Sequence, residues 1–387
     1  MIEITNKRDC CGCEACKQVC PKGCIELVAD VEGFAYPRID KTACVDCGLC
    51  ERVCPMINTC NPVAPLVTYA AKNKNEATRH NSSSGGVFTL LAENVIAQGG
   101  VVFGAKFNEE WRVVHSYAEC VEELSQFRGS KYVQSSIGDS YARVEEFLKE
   151  GRKVLFSGTP CQVAGLKHFL RKDYDNLLTI EIVCHGVPSP KVWADYLAEV
   201  SQMDGTRENI TAVSFRDKTN GWKRYDVRVD FASHSRATIH TDDPFMKGFL
   251  KNLTLRPSCY HCVAREGRSG ADIALADYWG VWNIHEGIDD DGGVGLVVVN
   301  TNKGAEWYEG VRAEVDDRVS DYTKAVAYNP CMIRSVEEPK DRAAFWYLYG
   351  GHKMAAVGMM ERRIKPIVVY AYRCKEWVGR QLTTKNR

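Results

Sequence analysis

The sequence predicts an α/β protein in two parts, a short N-terminal module built on cysteine loops and a larger α/β domain with antiparallel additions. Two observations carry this. The pattern Cys-x2-Cys-x2-Cys-x3-Cys-Pro occurs twice within the first 55 residues. From residue 67 onward, short apolar runs alternate with segments of helical periodicity, as in a sheet covered by helices. A chain of 387 residues is long enough for both parts.

The first pattern is Cys10, Cys13, Cys16 and Cys20 before Pro21, and the second is Cys44, Cys47, Cys50 and Cys54 before Pro55. Three thiolates on a tight loop cap three corners of a cubane, and the fourth, set off before the proline, reaches the neighbouring cluster. The order therefore predicts a bacterial-type 2[4Fe-4S] ferredoxin module over residues 1–60. Cys10, Cys13, Cys16 and Cys54 are assigned to one cluster, and Cys44, Cys47, Cys50 and Cys20 to the other. A zinc module or disulfide framework fits less well, since zinc sites pair two knuckles and need no eight thiolates in this order. Cys11, Cys24 and Cys60 fall outside the pattern and read as small buried apolar residues.

Lys plus Arg and Asp plus Glu are balanced at 50 each, which gives no global electrostatic case for nucleic acid. The N-terminus lacks a signal-peptide core, and no apolar run approaches a membrane span. A soluble, cytoplasmic protein is expected. Its 18 cysteines point to metal thiolates and reduced thiols, and oxygen-sensitive cubanes point to an anaerobic or low-oxygen host.

Pro62 and Pro65 mark an extended connector. Beyond it, strands are expected at 67–71, 101–107, 113–117, 153–156 and 177–183, and helices at 86–98, 141–149 and 162–170, giving a largely parallel sheet. Residues 210–216 and 224–231 flank Asn220-Gly221 and read as a hairpin. The large domain is expected over 66–300, with a mixed or helical extension over 301–387. Its basic end, residues 362–387, reads as a solvated helix with an apolar face, interrupted by Pro366; a membrane-surface helix is the alternative.

Several constellations carry possible chemistry. Cys161 and Cys184 each follow an expected buried strand, at the end that faces the ligand crevice of a parallel sheet. With the Cys259-Tyr260-His261-Cys262 knuckle they total four thiolates. From spacing alone, a third [4Fe-4S] cluster, a structural zinc site using Cys184 or His185, and plain core thiols remain open. Chemistry that joins one-electron clusters to two-electron substrates needs a converter, and a flavin supplies it. Residues 81–86, Asn-Ser-Ser-Ser-Gly-Gly, precede a helix and offer amides and hydroxyls to a pyrophosphate, or act only as a cap or turn. Lys131, in the stretch 128–135, could stabilise a reduced anionic flavin ring, or be a solvated basic turn. His185 and His261 read as neighbours of cluster sulfur.

At these residues the chain resembles the coenzyme F(420) hydrogenase/dehydrogenase beta subunit family, whose wider membership includes 7-hydroxymethyl chlorophyll a reductase. The matching segments are residues 82–86, Gly104-Ala105, residues 129–132, 157–162, 184–186, 256–262 and 276–280. The resemblance implies an FAD-containing iron-sulfur oxidoreductase. It raises Cys161, Cys184, Cys259 and Cys262 to the preferred ligands of a third cluster. It likewise raises Ser83, Ser84, Gly85, Gly86, Lys131 and Tyr132 to FAD contacts, with Lys131 the preferred catalytic residue. Expected partners are ferredoxin or another redox protein and a diffusible cofactor or small substrate; a homo-oligomer is compatible. The rival is an electron-transfer or docking subunit with no substrate of its own.

Overall fold

A computed structural model of the protein describes residues 1–202 and 208–361. The N-terminal module is organised by the hairpin of β1 (Ile25–Ala29) and β2 (Ala35–Ile39), with Ile25 opposite Ile39. A single helical turn follows each cysteine loop, at Ala15–Gln18 and Leu49–Arg52. Too little apolar surface exists here for a substantial core: Ile2 and Ile25 pack with Cys16, Cys24 and Cys54. The thiols are themselves much of the interior.

The larger part contains β3 (Val67–Asn73), β4 (Val101–Phe107), β5 (Val113–Ala118), β6 (Val154–Gly158), β7 (Leu177–Ile182), β8 (Ile210–Asp217), β9 (Asp226–Phe231), β10 (Ser235–Ile239), β11 (Ile273–Asp277), β12 (Gly295–Val299) and β13 (Val315–Ser320). Eight of these form one sheet in the order β13-β3-β12-β11-β7-β6-β4-β5. The expectation of a largely parallel sheet is corrected: the parallel pairs β4/β6, β6/β7 and β7/β11 are flanked by antiparallel pairing on both sides. Alternating strands and helices produced the parallel centre, whereas β5 returns from β4 by a short turn at residues 108–112 and must run antiparallel. By these pairings β3, β4, β6, β7 and β11 all point the same way. Their carboxyl ends share one edge of the sheet.

The expected hairpin appears as the antiparallel pair β8/β9, within a three-stranded sheet completed by β10. It packs with the helices Pro190–Val200, Pro244–Leu250, Arg342–His352 and Ala355–Glu361 around Trp193, Phe215, Phe245 and Phe345. The division expected at residue 300 runs through the main sheet, because β13 pairs with β3 from Val315 opposite Asn73 to Ser320 opposite Thr68. The expectation for residues 362–387 lies outside the described residues. Among those described, no helix is long and apolar enough to cross a membrane.

The module docks on the large domain through shared apolar packing. Cys11, Cys13, Ala15 and Val53 join the core of Phe103, Phe156 and Val163, beneath the helices Ser140–Lys149 and Pro160–Leu170. Glu14, 9% exposed, accepts from the Gly138 amide at 3.0 Å and the Ser136 hydroxyl at 3.3 Å. Gly165 is required here, since a Cβ would lie 2.9 Å from Cys13.

Candidate redox centre

The fourth cysteine of each loop lies with the first three of the other. Cys10, Cys13, Cys16 and Cys54 line one small cavity, and Cys20, Cys44, Cys47 and Cys50 line a second. Each loop turns through left-handed backbone, at Gly12 (φ +72°) and Glu14 (φ +62°) in the first, and at Asp46 (φ +49°) and Gly48 (φ +71°) in the second. Cys24 is buried beside Cys20, their sulfurs 3.3 Å apart. Cys11 is buried too, but Cys60 is exposed, correcting its reading as a buried thiol. Cys60 lies in the extended connector, where few elements cover it.

Cys161, Cys184, Cys259 and Cys262 converge from distant parts of the chain. Each is close enough to feel the others' charge, and burial pushes the Cys259 thiol up to about 12 and Cys184 well above its ordinary range. Cys161 sits in the first turn of the helix Pro160–Leu170, whose capping box pairs Thr159 with Gln162; the Thr159 hydroxyl lies 3.3 Å from the Cys161 sulfur. Cys184 follows β7. Cys259 and Cys262 lie on and just after the 3-10 turn Pro257–His261.

The charges around these thiols test whether an anionic cluster fits. Arg256, 1% exposed, donates to the Cys10 sulfur at 3.3 Å and to the Cys10 carbonyl at 2.7 Å. Arg265, 7% exposed, donates to the carbonyls of Cys184, His185 and Cys331, and its Nε has no partner. A buried guanidinium bonded only to neutral groups is costly unless negative charge lies nearby. A thiolate-bound iron-sulfur cluster would supply that charge at either place, so the residues present fit such a group.

Beside the four-cysteine site opens a cavity of about 770 Å³, within the range of small-molecule and cofactor sites. It lies at the shared carboxyl edge, walled by the ends of β6, β7 and β11, and Cys184 and Thr159 form part of its lining. The 82–86 and 128–135 segments, distant in sequence, meet here: the Ser83 hydroxyl accepts from the Ser130 amide at 2.6 Å and from its hydroxyl at 2.9 Å. Ser84 donates to the Val294 carbonyl at 2.8 Å. Gly85 answers a packing demand, since a Cβ would come 2.2 Å from the Ala71 carbonyl oxygen. Gly86 takes φ +81° to enter the helix Val87–Ala97.

Lys131 donates to the carbonyls of Arg128 (2.9 Å) and Gly129 (3.2 Å), and burial lowers its pKa to about 7. Tyr132 stacks on Phe249 at 5.0 Å, and its hydroxyl accepts from Arg216 at 3.2 Å. Sequence reasoning missed Arg216. It is 6% exposed, pairs with Asp277 at 2.8 Å, lies 4.0 Å from the Tyr225 ring centre and leaves its Nε without a partner. No motif surrounds it; only the Asp277 of residues 276–280 hinted at a buried cation. His115, also missed, bonds the Ser157 carbonyl and the Ser135 hydroxyl, each at 3.0 Å, and burial lowers its pKa to about 4, so it is neutral. His185 bonds Asn252 at 2.6 Å, and His261 is exposed.

Two crossed cysteine loops in a compact module define an iron-sulfur redox protein, and a 4Fe-4S dicluster domain model matches residues 9–57. The rest narrows the class. The N-terminal model of the coenzyme F420 hydrogenase/dehydrogenase beta subunit matches residues 68–140 and its C-terminal model matches residues 151–324. The chain belongs to that family, and it is an iron-sulfur redox subunit of that type. Among solved structures it is similar to a chain of the F420-reducing [NiFe] hydrogenase complex from Methanosarcina barkeri, at 13% identity and a TM-score of 0.47, over 70% of this chain and 90% of that one. Comparison with curated proteins returns no match.

Proposed function

We propose that the protein is an iron-sulfur flavoprotein oxidoreductase, linked to ferredoxin or another redox protein and working in a low-oxygen cytoplasm. In this reading electrons pass between three [4Fe-4S] clusters and FAD, with hydride exchange to a diffusible cofactor of the F420 kind or to an organic substrate. The observation that carries it is the junction of the four-cysteine site with the 770 Å³ cavity, in whose wall Cys184 stands on the same edge as Lys131. When bound, FAD exchanges single electrons on one side and a hydride on the other.

The chain's own residues would do the following. Cys161, Cys184, Cys259 and Cys262 hold the third cluster. Ser83 and Ser84, on the loop fixed by Gly85 and Gly86, form the wall against which FAD is bound, and Tyr132 offers an aromatic flank. Lys131, which lines the cavity, would supply positive charge to a reduced, anionic flavin ring bound there. The partnerless Arg216 Nε is a ready donor to a polar group of FAD or substrate.

Anaerobic purification with iron, sulfide, zinc and flavin analysis tests this. About twelve irons and about one FAD per chain are expected. About eight irons, one zinc and no flavin after reconstitution would instead identify a docking subunit without a substrate of its own.

A further inference from the structure

Arg256 stands between two thiol groups. Its side chain bonds the Cys10 sulfur and carbonyl, the Ala35 carbonyl at 2.9 Å and the Gln134 side-chain oxygen at 3.0 Å, and its guanidinium lies 4.3 Å from the Tyr36 ring centre. None of these partners is a carboxylate. Through its backbone the same residue accepts from the Cys259 amide at 2.9 Å, at the start of the turn that presents Cys259. Its charge is felt at Cys10, Cys259 and Cys161. Cys11 lies in the same gap, within hydrogen-bonding reach of Cys13 on one side and Cys161 on the other.

Among the described residues no buried cation bonds a sulfur of the second N-terminal group: Arg52 donates to the Cys47 carbonyl at 2.9 Å, but it is exposed, so solvent screens its charge. The group's sulfurs receive neutral donors, the Ile2 amide on Cys50 and the Asp46 amide on Cys44, each at 3.4 Å. The Met1 ammonium nearby is already paired with Asp46 at 3.1 Å and Glu51 at 3.0 Å.

Reduction adds one electron to a cluster that is already anionic, and burial penalises that added charge. The Cys10 group is the more buried of the two N-terminal sets. Burial alone would make it the harder to reduce, and so a barrier on the way inward. We propose that Arg256 is a positioning residue that selectively raises the reduction potential of the Cys10, Cys13, Cys16 and Cys54 cluster, keeping it level enough to relay electrons between the exposed cluster and the four-cysteine site. A charged hydrogen bond to a ligand sulfur and an unneutralised guanidinium both act in that direction.

This rests on the cluster reading above. The test is a redox titration followed by EPR on the full chain, with Cys47→Ser identifying the signal of the exposed cluster. In Arg256→Gln, the Cys10-group midpoint is expected to fall by about tenfold in the reduction equilibrium, ~59 mV for one electron, while the exposed cluster does not move. Gln134→Glu, nearly the same shape, places a carboxylate on the guanidinium and is expected to lower the same midpoint; it decides the matter if Arg256→Gln loses iron. Unchanged midpoints, or equal shifts of both clusters, in a variant with full iron content would overturn the inference. Wild-type protein lacking the two N-terminal clusters would instead overturn the cluster reading itself.

Discussion

The loop carrying Cys10, Cys13 and Cys16 and the loop carrying Cys44, Cys47 and Cys50 have the same spacing and the same two left-handed positions, yet glycine and acid exchange places between them. In the first loop, Gly12 occupies the position held in the second by Asp46. A Cβ at Gly12 would come 2.3 Å from the Gln134 amide and 2.8 Å from Arg256, whereas Asp46 is exposed and pairs with the N-terminus. In the following left-handed position, Glu14 is buried against residues 136–138, whereas a Cβ at Gly48 would meet nothing within 4 Å. One loop is shaped by what docks on it and the other by solvent. The spacing is the same in both loops, but the surroundings define which one faces inward to the large domain and which faces solvent.

The largest effect that would break this comparison lies on the inward side. In the proposed relay, Cys259→Ser with Cys262→Ser should remove about four irons and lower flavin reduction by reduced ferredoxin by more than about 100-fold, leaving the two N-terminal EPR signals intact. Wild-type transfer rates in that variant would remove the four-cysteine site from the route.

The glycine pair sharpens the contrast. Gly48→Ala meets only the backbone cost of left-handed φ, about 1–2 kcal/mol. Gly12→Ala adds the clash with Gln134 and Arg256, roughly 1–3 kcal/mol more. Chemical denaturation of the holoprotein should therefore rank Gly12→Ala as the more damaging, and equal losses would mean that the docked surface does not constrain the first loop.

The smallest effect concerns Lys131, at the cavity end of the buried route. Its folded pKa of about 7 lies below the ordinary 10.5. Between those values the unfolded chain binds the proton that the folded lysine has released, so this group makes stability rise with pH from about 7 toward 10.5 and contributes no such slope below 7. Lys131→Met should flatten that part of the stability profile measured without flavin. With flavin, an anionic ring beside the amine favours its protonated form, so the variant should slow flavin reduction by about tenfold at pH 6 and by less once the pH is high enough to deprotonate Lys131 in the complex. A pH-independent difference between variant and wild type would assign Lys131 a packing role only.

Much of the architecture is legible because its signals are local. The strand at residues 101–107 matches β4, and the cysteine spacing foretells the crossed lining of two cavities. The mixed character of the sheet is not legible, because strand direction follows from which strands pair across the fold, as when β12 inserts between β3 and β11. The candidate site divides in the same way. Ser83 and Lys131 belong to short motifs, but their meeting depends on Ser130 reaching across to Ser83. Arg216 and His115 carry no motif and matter only through the cavity they border.

By itself the sequence determined the two four-cysteine patterns of the dicluster domain, the knuckle at Cys259 and Cys262, and the alternation that builds the parallel centre, because each rests on contacts within a few residues. Only the tertiary structure decided that Cys161 and Cys184, grouped with that knuckle by resemblance, come close to it in space, that the Cys10 loop is the buried one, and that Arg256 stands unneutralised between two thiol groups. Those facts depend on segments hundreds of residues apart meeting at one edge of a sheet, and burial and charge there come from neighbours in space, which the order of residues along the chain does not reveal.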